Sequence, residues 1–167
     1  MARSFETSAE SPAGVDEILA AFGDESYWRA RLAAAKDAAR LESLVVDPAG
    51  RVQVGVTIGL VRGQLPKPIA HLQRGDLRMV HNEVWSRIGD DQVRGEVDVA
   101  VRGLRMSAFA EALLVPVHSG SQLRVTVTVA VKVPLVGRQI ENMIGDQLGE
   151  GITATLGFTS DWIAENR

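Results

Sequence analysis

The sequence predicts an α+β fold, an antiparallel sheet covered by one long C-terminal helix, and three observations predict it. From Arg40 to Val133 apolar and polar residues alternate with period two, broken by turn-forming clusters and one proline-containing connection. From Val133 to Arg167 the period changes to about 3.6, with no proline after Pro134. Consecutive strands joined by tight turns make a meander that buries one face and wets the other, and the C-terminal helix is the long apolar element available to cover it.

Ala2 to Ala9 forms a first strand, with Phe5 on one face and Ser4, Glu6 and Ser8 on the other. Ser11-Pro12 is a helix start signal, serine at the cap and proline at the first helical position. Val15, Ile18, Leu19 and Phe22 give that helix its apolar face, and Gly23 ends it. Asp24 caps a second helix carrying Tyr27, Trp28, Leu32 and Ala35. Leu44 and Val46 alternate with polar neighbours up to the turn Asp47-Pro48-Ala49-Gly50. The third strand sets Val52, Val54, Val56, Ile58 and Leu60 on one face. Pro66 and Pro68 interrupt the pattern between Val61 and Gly75, where Ile69 to Gln73 fits one short helical turn. The fourth strand spans Asp76 to Arg87, and Gly89-Asp90-Asp91 turns the chain. Val93, Val97, Val99 and Val101, then Met106, Ala108, Ala110, Ala112 and Leu114, and finally Leu123 through Val133 mark three more strands.

In the C-terminal helix Ile140, Ile144, Leu148, Ile152 and Leu156 form a ridge that Met143, Phe158, Trp162 and Ile163 widen beyond half of the wheel. At about 1.5 Å per residue its length is roughly 40 Å, enough to cross a sheet. Gly145, Gly149, Gly151 and Gly157 each cost on the order of 1 kcal/mol against alanine in a helix interior. Gly151 falls near the centre of the apolar arc, with Gln147 and Thr155 one turn away. A face that thins at its centre reads as a helix over a hollow; the alternatives are close approach to the sheet or a kink at Gly149–Gly151.

Composition bounds the function. At 167 residues the chain is expected to be one domain, 1–167, with a single core. A net charge of −3 lacks the basic stripe of nucleic-acid binders. The absence of cysteine removes disulfides, thiolate metal sites and cysteine nucleophiles and fits a cytoplasmic protein. No secretory signal follows Met1, and no apolar run is long enough for a membrane span. His71, His81 and His118 lie on separate segments without metal-site spacing, so neither a metal nor a cofactor is expected. Gly149-Glu150-Gly151-Ile152-Thr153-Ala154 matches G-x-G-x-x-A, but inside a helical pattern it is no dinucleotide loop.

The element order resembles the START-like (SRPBCC) superfamily, the helix-grip or birch-pollen-allergen type. Glu83-Val84-Trp85, Lys132-Val133-Pro134-Leu135-Val136-Gly137 and Ile140-Glu141 look like an uncharacterised actinobacterial family within it. That resemblance implies a curved seven-stranded sheet wrapped around the C-terminal helix with an internal cavity. It also implies binding of lipids, sterols or polyketides, and in some members cyclase or aromatase activity.

The candidate ligand-binding residues follow. Met106, Ala108, Ala110 and Ala112 place three small side chains in succession on one apparently inward face. Val56 and Ile58, Val97 and Val99, and Val127 and Val129 supply apolar wall from neighbouring strands. Ile144, Gln147, Leu148, Gly151, Ile152 and Thr155 supply the helix side. On the fourth strand Met79, His81, Glu83 and Trp85 share a face with Leu77, opposite Val80, Asn82 and Val84. With the first register inward, His81 and Glu83 orient a ligand or act as acid and base; with the second inward they are solvated. Trp28, Trp85 and Trp162 fit core or rim positions. The connection Val61–Arg78, with Arg62, Lys67, His71, Arg74 and Arg78 among apolar residues, fits either a lid or a solvated loop.

The leading expectation is a binding or carrier protein for a hydrophobic or amphipathic small molecule, without catalysis. The alternatives are a polyketide cyclase-like enzyme using the same cavity and a protein-interaction domain with no ligand. Transient membrane contact, and the choice between monomer and homodimer, stay open.

Overall fold

The computed structural model describes residues 2–33, 38–60 and 77–167. Seven strands form one antiparallel sheet in the order β1-β7-β6-β5-β4-β3-β2. They are β1 (Arg3–Ser11), β2 (Ala39–Val46), β3 (Val52–Leu60), β4 (Leu77–Ile88), β5 (Gln92–Arg102), β6 (Met106–Val117) and β7 (Gly120–Val131). Among the described residues the helices are α1 (Val15–Phe22), α2 (Glu25–Ala33) and the long C-terminal α3 (Gly137–Glu165). The expected α+β architecture is therefore present: a curved seven-stranded sheet around a C-terminal helix, the helix-grip arrangement. No described helix is long and apolar enough to cross a membrane.

The meander follows from alternation. β7 buries Leu123, Val125, Val127, Val129 and Val131 while Arg124 and Thr126 face outward. On the outer face Arg94 reaches Glu96 at 3.4 Å and Glu111 at 3.5 Å, exposed pairs worth about 0–1 kcal/mol each. β1 returns to pair with β7, Arg3 opposite Val129 through Ser11 opposite Ser121, which leaves β1 and β2 as the sheet edges.

Three local expectations are corrected. The first strand runs on to Ser11, and α1 begins only at Val15 after Gly14. The Ser11 hydroxyl still acts locally, accepting from the Ala13 N–H at 3.0 Å and meeting Ser160 Oγ at 2.6 Å. The expected cap at Asp24 is present, its carboxylate accepting the Ser26 N–H at 2.8 Å. In β2 Leu44 and Val46 alternate as expected, opposite the buried Val54 and Val52. An irregularity between Leu41 and Ser43 brings Leu41 onto the same face opposite Val56, and Val46, at the end of this edge strand, stands half exposed. Most of the 61–78 connection, including His71 and the expected turn at 69–73, lies outside the described residues.

Glycine 151 is the third correction. It faces solvent with nothing within 4 Å of where a Cβ would stand, so it neither thins the inner face nor approaches the sheet. Phe158, seven residues on and thus on the same face, is also exposed, and that residue drew the apparent centre of the apolar arc toward solvent. The glycines of α3 that meet the sheet are Gly137, where a Cβ would fall 2.4 Å from the Val131 carbonyl oxygen, and Gly145, where it would fall 2.1 Å from the Phe5 ring.

The start of α3 is pinned by Glu141, whose buried carboxylate accepts the Val131 N–H at 2.9 Å. Its far half closes on an aromatic cluster. Tyr27 packs edge-on to Trp28 and Trp162, each with ring centroids 5.4 Å apart, and its hydroxyl meets Thr159 Oγ1 at 2.7 Å. Phe22 bridges to Trp85 at 4.8 Å, and the Trp28 indole N–H donates to the Phe22 carbonyl at 2.7 Å. Trp28 and Trp85 are thus buried core residues and Trp162 is half-buried.

Trp85 lies flat over Gly95, where a Cβ would fall 2.3 Å from the ring. Gly95→Ala must lift a buried indole and is expected to cost about 1–3 kcal/mol. Gly151→Ala, in open space on a helix, is expected to gain on the order of 0.5–1 kcal/mol. Urea unfolding of the two variants checks the opposite signs.

Candidate functional site

Between the sheet and α3 lies a cavity of about 240 Å³. Strand pairing sets its floor as rows running across the sheet. Trp85, Gly95, Ala112 and Val125 form one row; Glu83, Val97, Ala110 and Val127 form the next; His81, Val99 and Ala108 form the third. The alanines of β6 stand two strands from the polar residues of β4, and their missing volume leaves the space open. Leu148, Ile152, Thr155, Leu156 and Thr159 line it from α3.

β4 is therefore registered with His81, Glu83 and Trp85 inward, resolving the two faces that alternation left open. Among the expected residues, Val97, Val99, Ala108, Ala110, Ala112, Val127, Leu148, Ile152 and Thr155 also line the cavity. Others do not. Ile58, Met79 and Met106 share the inner face but sit toward the far end of the sheet, Ile58 opposite Met79 and Val101 opposite Met106. Val56 and Val129 are solid core, and Ile144 packs beside it. Gln147, like Gly151, is exposed, because the inward line of α3 runs through Leu148 and Ile152 instead. Sequence reasoning missed Phe22, Arg31, Leu123, Val125, Leu156 and Thr159 as lining residues. Of these Arg31 is chemically distinctive, and its one signal was the four-residue spacing from Tyr27, which puts both on one face of α2.

The polar side of the cavity is concentrated. The Glu83 carboxylate is 5% exposed, with Oε2 3.6 Å from His81 Nε2 and 3.9 Å from Arg31 Nη1. Neither distance makes a hydrogen bond. Arg31 is also held over Trp28, its guanidinium carbon 4.7 Å from the ring centroid. Glu83 Oε2, His81 Nε2 and Trp85 Nε1 are all buried without a hydrogen-bond partner among the described residues. Burial pushes the Glu83 carboxyl up. The neighbouring His81 imidazole, the Arg31 charge and the Trp85 indole together outweigh that and hold it below its ordinary value. The site therefore carries an ionised carboxylate at neutral pH. Among the described residues no group of three or more His, Cys, Asp or Glu is placed to hold a metal ion.

A curved sheet gripping a long helix over a mostly apolar cavity is the fold of Bet v 1-like proteins. The profile of a family described as "Protein of unknown function (DUF2505)" matches residues 6–163, and the chain belongs to that family. An uncharacterised protein of Mycobacterium tuberculosis, Rv0481c, is 33% identical over 99% of both chains. Among solved structures, Ara h 8.0201 superposes with a TM-score of 0.58 at 15% identity over 99% of both chains. Norcoclaurine synthase from Thalictrum flavum, solved with dopamine and hydroxybenzaldehyde, gives 0.55 at 15% identity over all of this chain and 89% of its own. At that identity the likeness concerns the fold.

Two titrations check the electrostatics. Burial raises the phenol of Tyr27, the chain's one tyrosine, above its ordinary 10.0. Its contribution to stability is present below that pH and lost as pH rises through the folded value. Phenolate absorbance is expected to develop only above pH 10.0 in the folded protein and at the ordinary value in urea. Glu83 has the opposite sign: its contribution is present above the unfolded value, about 4.5, and lost as pH falls through the depressed folded value. Glu83→Gln is expected to remove that acid-side slope in unfolding experiments.

Proposed function

We propose that this protein binds or carries a compact hydrophobic or amphipathic molecule between the sheet and α3. The observation that carries the reading is an apolar cavity with His81, Glu83 and Trp85 converging on one wall, the usual form of a small-molecule site. Its 240 Å³ is below the roughly 300–1,000 Å³ of drug-sized ligand pockets, which favours a single ring system or short chain over a whole membrane lipid. Apolar burial would supply most of the affinity at about 25 cal/mol per Å², less the costs of association. His81, Glu83 and Trp85 would set orientation.

The His81–Glu83 pair also supports a second reading, an enzyme with a cyclase-like reaction on a hydrophobic substrate. Placed two residues apart on one strand and facing the same space, the pair could move a proton to and from a bound molecule. Catalysis would then require turnover that His81→Ala abolishes while binding survives.

Native mass spectrometry of protein purified from its own host tests the binding reading. A co-purifying small mass is expected, and an empty chain that also ignores apolar probes would end it. Ala110→Leu fills the cavity floor and is expected to weaken binding at least tenfold without loss of stability. Exchanging His81 or Glu83 for alanine is expected to weaken binding by about 1–2 kcal/mol, and unchanged affinity would remove them from the site.

A further inference from the structure

We infer that the loop between β7 and α3 docks this end of the molecule on an anionic membrane surface, with Leu135 entering the headgroup layer and Arg3, Lys132 and Arg138 facing lipid phosphates. Leu135 stands at φ 73° and is the only non-glycine residue at positive φ among the described residues. That left-handed conformation is unfavourable for a residue with a side chain. Packing does not offset it. Leu135 is 104% exposed, against 55% for Val45, the next large apolar residue on the described surface. Backbone strain that serves no internal contact marks a segment shaped for something outside the chain.

The same end of the molecule is basic. Arg3, Lys132, Leu135 and Arg138 border one open recess between the start of β1, the end of β7 and the first turn of α3. The carboxylate at this recess, Glu141, is buried and occupied by the Val131 N–H. Arg105 is alongside, its carbonyl accepting the Lys132 N–H at 2.8 Å, and Arg78 and Arg102 stand opposite each other where β4 and β5 reach this end. All six cations are exposed, and none forms an ion pair among the described residues. The opposite end carries Asp47, Asp90 and Asp91 in its turns and Asp16 and Glu17 on α1. There Arg87 and Arg167 are each held by a carboxylate, at 2.7 and 3.0 Å. A net charge of −3 therefore hides a basic pole and an acidic one, about 40 Å apart along the 29 residues of α3. With a Debye length of about 8 Å, a surface touching the basic pole does not feel the acidic one. A bilayer uses both features at once: its phosphates meet the cations, and the boundary below the headgroups takes the leucine. A nucleic acid would use the charges and leave Leu135 in water. An acidic protein would find one isolated apolar side chain rather than the apolar core of an interface.

Co-sedimentation with vesicles of phosphatidylcholine, alone or equimolar with phosphatidylglycerol, tests the inference. Binding is expected only to the anionic vesicles and is expected to fall as salt is raised. Lys132→Gln and Arg138→Gln are each expected to weaken it roughly fivefold. Leu135→Gly relieves the backbone, so this variant is expected to be at least as stable as the wild type while binding about tenfold more weakly. The chain has no cysteine, so Leu135→Cys and Ser119→Cys, beyond opposite ends of β7, each take a single environment-sensitive fluorophore. The label at position 135 is expected to shift to the blue on anionic vesicles and the label at position 119 to stay unchanged. No binding to anionic vesicles, equal binding to neutral ones, undiminished binding of Leu135→Gly, or a blue shift at position 119 instead would overturn the inference. Retention of soluble polyglutamate without retention of vesicles would also overturn it, in favour of an acidic protein partner.

Discussion

Keeping an ionised carboxylate inside an apolar chamber is the constraint on which the site depends. Moving such a group out of water costs several kcal/mol unless charges and dipoles compensate it. Here the compensation comes from two separate elements. β4 supplies Trp85 and His81 along with Glu83 itself, while α2 supplies Arg31, and Trp28 holds that guanidinium in place. Together they hold the carboxylate charged although it is sealed from solvent. The aromatic cluster of Phe22, Tyr27, Trp28 and Trp85 gives that arrangement its rigidity by locking α1 and α2 against β4.

Much of this architecture could be read from the letters. Alternation over Val52–Leu60 and Leu123–Val131 left little freedom in which side chains face inward, since a one-residue slip would expose an entire valine row. The run Ala108, Ala110, Ala112 likewise pointed to missing volume, and the cavity lies over those residues. Periodicity reports a face, however, and not a position along the strand. That is why Ile58, Met79 and Met106 fit the wall by pattern while sitting toward the other end of the sheet. The same limit applied to β4, where both faces carried plausible core residues and only pairing with β3 and β5 distinguishes them.

The helix misled for a different reason. On an ideal wheel every apolar residue counts toward the buried arc, but Phe158 covers the edge of Tyr27 from the solvent side with ring centroids 6.0 Å apart. Counting it inward rotated the apparent face toward Gly151 and Gln147. Arg31 was hidden because α2 is short and mixes its apolar and charged residues with little order, so a guanidinium reaching into the cavity resembles its solvated neighbour Arg29.

The hydroxyl contact between Ser11 and Ser160 joins points 149 residues apart in the chain. It lies where β1 meets the last third of α3, so the earliest strand to be synthesised acquires its covering helix from nearly the last. Such distant closure makes folding slow, because loop entropy must be lost before packing rewards it. On the ribosome the valine-rich inner surface would stay uncovered, and the nascent chain would need shielding, until α3 emerges after all seven strands.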